Sequence, residues 1–309
     1  MPRRALLSLV LAAASWGTAT AVSKRAVAEI PPLTLLAIQL AASLVVLALL
    51  MRWRRQPFRD PTASPILGRL GVLNPGLAYA LGLLGLVHIS ASLSVLLWAA
   101  EPLMILLLAG WLLHERVTRG VVVLSLIAAA GMAVVVYAPG PTGQLLGVAL
   151  TLAGVACCAI YTIVARRWLG TAEGTAAVVA TQQLYALAFA LVVVVAVGLT
   201  GGAVRPENVS PAGWLSALVS GVLYYGVAFW LYLSGLREVP APIAAVSFYL
   251  IPIFGLAAAF ILLGERLNPQ QWLGAGVVIV VVLAIFRASL IPEAGGPAAG
   301  ASAARPSPT

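Results

Sequence analysis

Among 18 Lys+Arg and 9 Asp+Glu side chains, only Glu101 stands in the middle of a long apolar run. Twelve residues separate it from Ile89 and twelve from Leu113, about 18 Å to either end at ~1.5 Å per helical residue. A lone carboxylate at the midplane of a bilayer costs about 2.5–3.5 kcal/mol on insertion scales, so it should face a bundle interior. No Arg, Lys or His stands at comparable depth. Such an acid, protonated at rest, has two chemistries open to it: exchange of a proton, or reception of a substrate's amino group. A structural alternative has the neutral acid bonded to a backbone carbonyl that Pro102 frees. Aromatic side chains gather at similar depth: Tyr79, Trp98, Tyr224, Tyr225, Phe229, Trp230, Phe248 and Tyr249. Interfacial anchors would sit at span ends. A mid-span tyrosine needs a hydrogen-bond partner, which in lipid means another helix or a wet cavity. A cavity walled by such rings and holding one acid suits amphipathic molecules that carry an amine, through cation–π attraction and charge pairing.

Gln39 and Gln183 are polar residues within apolar runs, and Tyr161 has the same status. They fit either substrate ligands or interhelical hydrogen bonds. The candidate substrate-binding set is therefore Glu101, Trp98, Tyr79, Gln39, Tyr161, Gln183, Tyr225 and Tyr249. Pro102 and Pro252 break their helices at mid-depth, as hinges or as static kinks. Glu115-Arg116 and Glu265-Arg266 close two apolar runs and fit gates or simple helix caps. His88 stands at a span boundary, where a solvated loop position is the plainer reading.

The elements that must position these residues follow from composition. The chain has 309 residues, 62% hydrophobic and 9% charged, against about 25% charged in a soluble domain. Too few polar side chains exist to cover a water-facing surface, so the solvent is lipid. Ten candidate spans can be read, at 5–23, 33–51, 67–87, 89–113, 120–138, 144–165, 175–197, 213–236, 241–263 and 271–287. Short connections leave no room for a soluble domain, and residues 289–309, rich in Ala, Gly, Pro and Ser, read as a disordered tail. With both termini in the cytoplasm, 14 Arg and Lys fall inside and 4 outside, the positive-inside bias. Arg3-Arg4 and the following apolar run also resemble a cleavable leader, but the first span has a later counterpart that cannot be one. The charge of +9 sits between spans and sets orientation; it does not point to nucleic acid. Adjacent Cys157 and Cys158 read as packing residues, and no zinc, haem or redox spacing occurs.

The chain also repeats itself. Shifted by 150 residues, positions 71–116 match 221–266 at 17 of 46 places, among them Gly71 on Gly221, Pro102 on Pro252 and Glu115-Arg116 on Glu265-Arg266. At smaller offsets Gln39-Leu40 falls on Gln183-Leu184. Two five-helix halves follow, 1–140 and 141–288. An odd number of spans per half inverts the second in the membrane, which is the physical basis of alternating access.

Each half carries a Pro inside its fourth span and closes that span with Leu-Leu-x-Glu-Arg, as Leu112 to Arg116 and Leu262 to Arg266, while Trp16-Gly17 stands in the first span. The sequence thus resembles the drug/metabolite transporter superfamily, specifically its bacterial EamA-type exporters. The resemblance implies an all-α, multi-pass protein of the inner membrane that exports amino acids, metabolites or drugs through a central cavity. The second half departs from the pattern with Cys158-Ala159 where Trp-Gly would stand. Nothing resembles a nucleotide-binding loop, and no cofactor, metal or catalytic cluster is indicated. The expected partners are a small-molecule substrate and the lipid bilayer, with a proton as the coupling ion and a homodimer compatible with the reading. A membrane enzyme or a channel are the alternatives; a channel would want a continuous polar pore.

Overall fold

The computed structural model describes residues 3–58, 65–101, 104, 105, 108, 120, 123, 124, 126, 127, 130, 131, 134, 144–166, 175–236 and 250–290. Pro102, Glu115, Arg116, Tyr249 and the tail beyond 290 lie outside the described residues. Helix α1 runs Arg3–Val27 and α2 runs Pro32–Trp53. The third span is composite: α3 (Pro65–Arg69), a 3-10 turn (Leu70–Val72), a π segment (Leu73–Leu77) and α4 (Ala78–His88). After α5 (Ala91–Trp98) the second half holds α6 (Gln144–Arg166) and α7 (Thr175–Leu199). Then come α8 (Pro211–Gly221), a second π segment (Val222–Val227), α9 (Ala228–Leu236), α10 (Ile251–Leu263) and α11 (Pro269–Leu290). No strand occurs among the described residues.

Five described helical stretches are long and apolar enough to cross a membrane: Pro32–Trp53, Pro65–His88, Gln144–Ala165, Ala176–Leu199 and Pro211–Tyr232. In lipid a helix satisfies its backbone internally, which is why such runs fold this way and no other. The described residues form helices and no strand, and the chain is a multi-pass membrane protein. Large apolar side chains at Leu49, Val192, Leu199 and Ile261 point outward, as a lipid-facing surface requires.

The two π segments fall at equivalent places, residues 73–77 and 222–227. In the first, Asn74 takes extended angles (φ −142°, ψ 119°), the conformation that a following proline favours. The second carries no proline, yet Tyr224-Tyr225 departs from α geometry as well. Both halves therefore break α geometry at the matched position.

Helix packing is exchanged between the halves. Helix α1 packs on α9 and α10, while α6 packs on α4 and α5. Helix α7 packs on the 3-10 turn and first π segment, while α2 packs on the second. Two glycines make the latter crossings close. A Cβ on Gly71 would collide with the backbone of Gln182 on α7, and one on Gly221 with the backbone of Gln39 on α2. Small residues at such crossings let helices approach where lipid offers no hydrophobic drive between them.

Candidate functional site

Four aromatic rings from three segments meet near the centre of the bundle. Tyr79 of α4 stacks on Trp98 of α5, with ring centres 5.3 Å apart and planes 16° from parallel. Its edge also meets Tyr224 at 5.1 Å and Tyr225 at 5.3 Å. Neighbouring residues of an α-helix diverge by 100°; the wider π turn brings Tyr224 and Tyr225 round to the same ring. Thr20 of α1, whose hydroxyl donates to the Trp16 carbonyl at 3.2 Å, lines the same space as Tyr224. The space enclosed by Thr20, Ser23, Ser94 and these rings is about 20 Å³, room for roughly one water. The cluster is closed in this conformation.

Glu101 follows Trp98 by one turn and is half-buried. Tyr79, Tyr224, Tyr232 and Cys158 lie within its electrostatic reach. It has no charged or hydrogen-bonding partner among the described residues. A second aromatic group lies beside the first, where Trp16 meets Phe229 edge-on at 5.4 Å and Tyr232 at 5.6 Å. The Arg54 guanidinium sits 5.1 Å over the Trp230 ring, at the arginine-rich end of α2.

The matched glutamines hold helices together. Gln39 Nε2 donates to Ser23 Oγ (2.9 Å) and Ser220 Oγ (2.7 Å), tying α1, α2 and α8. Ser43 Oγ donates to Gln183 Oε1 at 2.8 Å, and Gln183 Nε2 donates to the Tyr225 carbonyl at 2.9 Å. Both glutamines are 1% exposed. Tyr161 donates to Gln182 Oε1 at 2.9 Å. Neither glutamine is among the residues enclosing the space beside Tyr79, and Tyr161 borders a separate cavity.

At one end of the bundle the α4–α5 corner is held by opposite charges. Lys24 Nζ donates to the carbonyls of Leu86 and Ile89, each at 2.7 Å, where the C-terminus of α4 gathers negative charge. The Glu265 carboxylate accepts from the amides of Ala91 and Ser92 at 2.9 Å and from the Ser92 hydroxyl at 2.7 Å, at the N-terminus of α5. Gly264, at φ +65°, ends α10 and turns the chain toward this contact. Arg266 is exposed, and Pro252 stands in the first turn of α10. A related contact joins Glu29 to Ser210: the Ser210 amide donates at 2.7 Å and its hydroxyl at 2.9 Å. These bonds hold the Glu29 carboxyl below the usual carboxylate range. Charge counting alone gave Lys24 and Glu29 no site; the only local signals were a lysine and a glutamate at the ends of apolar runs.

The EamA-like transporter model matches residues 3–137 and again 145–287. The chain belongs to the EamA-like transporter family. It is thereby a member of the drug/metabolite transporter superfamily, as its doubled Leu-Leu-x-Glu-Arg motif implied. An uncharacterized transporter of Archaeoglobus fulgidus is 25% identical over 290 residues, covering 90% of this chain and 97% of that protein. A "probable terminal-alkyne amino-acid exporter" of Streptantibioticus cattleyicolor is 28% identical over 206 residues, 67% of each chain. An uncharacterized protein of Pseudomonas aeruginosa is 30% identical over 279 residues, 87% of this chain and 89% of that one. A crystal structure of a protein 19% identical shares the fold at a TM-score of 0.63, covering 92% of this chain and 97% of the other. EamA membership makes the chain a membrane transporter, with a small-molecule substrate and lipid as its surroundings.

Proposed function

We propose that this transporter is a secondary carrier of the bacterial inner membrane, both termini cytoplasmic, that exports small amphipathic solutes bearing an amine. Its halves, 1–140 and 141–288, are inverted five-helix repeats that alternate between two packings of similar energy. Support comes from the exchanged packing, in which α1 relates to α9 and α10 as α6 relates to α4 and α5. Glu101 takes the solute's amino group or a proton, and Trp98, Tyr79 and Tyr225 face the solute's apolar part. Tyr249, which lies outside the described residues, is assigned to the same substrate-binding set. Gln39, Gln183 and Tyr161 orient the helices that carry it. Pro102 and Pro252 act as hinges, and Glu115-Arg116 and Glu265-Arg266 close the opposite ends. The name of the Streptantibioticus relative supports an amino acid as cargo.

The observation that carries this reading is Glu101, one turn beyond the Trp98 that stacks on Tyr79, without a partner of its own among the described residues. A space of about 20 Å³ holds no amino acid, so binding must part rings that now touch. In proteoliposomes, Glu101→Gln should abolish the dependence of amine-solute flux on a pH gradient and lower the flux itself; an unchanged rate and pH dependence rejects the role. Counterflow of labelled solute separates carrier from channel, since only a carrier exchanges one for one.

A further inference from the structure

At one end of the bundle, two carboxylates each reach from one EamA-matched segment to a helix N-terminus of the other. Glu265, in the second segment, accepts from the Ala91 and Ser92 amides and the Ser92 hydroxyl at the head of α5. Glu29, in the first, accepts from the Ser210 amide and hydroxyl at the head of α8. Lys24 completes the group, bonding the carbonyls of Leu86 and Ile89 within electrostatic reach of Glu265.

Each helix already has a serine cap of its own. Ser90 Oγ accepts from the Leu93 amide at 3.0 Å, and Ser210 Oγ from the Gly213 amide at 3.0 Å. The remote carboxylates therefore tie the two segments together at helix ends that are capped locally. All three charged side chains are half-buried, so water can take over their hydrogen bonds when they let go. Such contacts can open and close again.

The closed space of the aromatic cluster begins next to them. Ser23, Leu86 and Ser94 line it. Ser23 precedes Lys24, Leu86 is itself bonded by Lys24, and Ser94 follows Ser92 by two residues, about 3 Å along α5.

We propose that Lys24, Glu29 and Glu265 form a latch that holds the α4–α5 corner shut over the solute space, and that its release opens that space to this end of the bundle. The latch rests on the carrier reading above; it names the corner as the moving part and α5 as the partner of Glu265.

Full-length protein carrying Cys157→Ala and Cys158→Ala, which removes both cysteines, is given one thiol by Ser94→Cys and placed in nanodiscs. Ser94 is 2% exposed, so a water-soluble maleimide should label this chain slowly. Glu265→Gln should raise the rate about tenfold or more, as the loss of a charge-assisted contact of the closed state requires. Glu29→Gln and Lys24→Met should each raise it several-fold. Arg205→Ala, which removes an exposed charge five residues before Ser210, should leave it unchanged. If Ser94→Cys fails to fold, Leu86→Cys reports on the same space. Unchanged labelling in both glutamate variants, or the same gain from Arg205→Ala, overturns the latch. So does an equal gain at a thiol set by Ala180→Cys, buried where α7 meets Met51 of α2, since the variant is then loosened throughout. Faster labelling in a chain that fails counterflow keeps the latch and removes the carrier; counterflow with labelling unchanged does the reverse.

Discussion

Tyr79 touches three other rings and borders the small space that Thr20, Ser23 and Ser94 also line, so removing its ring and removing its hydroxyl are different experiments. An aromatic pair contributes about 0.5–1.5 kcal/mol beyond burial. Tyr79→Ala should therefore lower melting temperature by several degrees and abolish solute-induced stabilisation, while Tyr79→Phe should keep most of both in the same melting assay. Glu101 was legible because depth in an apolar run is a matter of counting. The partners of Gln39 were not, since Ser23 and Ser220 lie 16 and 181 residues away and nothing local announces either contact. Trp230 illustrates the opposite error of reading depth alone: mid-run by count, it ends beneath Arg54.

Elements meet where side chains vanish. Gly71→Ala and Gly221→Ala each push a methyl into the backbone of a facing helix, whereas Gly276→Ala meets nothing within 4 Å. Overpacking of this kind costs about 1–3 kcal/mol. The first two should melt well below the parent in detergent, and the third should be neutral or slightly stabilised. The Glu29–Ser210 contact adds a pH dependence. Because its hydrogen bonds depress the folded-state carboxyl, the contact is fully present above the ordinary carboxylate range and is lost as pH falls through the depressed value. Glu29→Gln should flatten the acid limb of stability, read by melting from neutral pH down to about 3. Pro75 stands in the first π segment; Val222–Val227, which packs against α1 and α2, has no proline to mark it.

At the scale of the molecule, composition and motif carried the family and the membrane setting, since both depend on averages over many residues. The inverted arrangement proposed above predicts that reporter tags at residues 60 and 140 face opposite compartments. Tags found on the same side would remove alternating access by this route.

The α4–α5 corner has a bearing on biogenesis. Its lysine is made before the corner itself, but Glu265 follows the Ser92 that it caps by 173 residues. At about 5–20 residues per second, the amides at the head of α5 wait on the order of ten to thirty seconds for their carboxylate. Until then they must bond water or insertion machinery, and any nascent chain released before residue 265 leaves that corner undone.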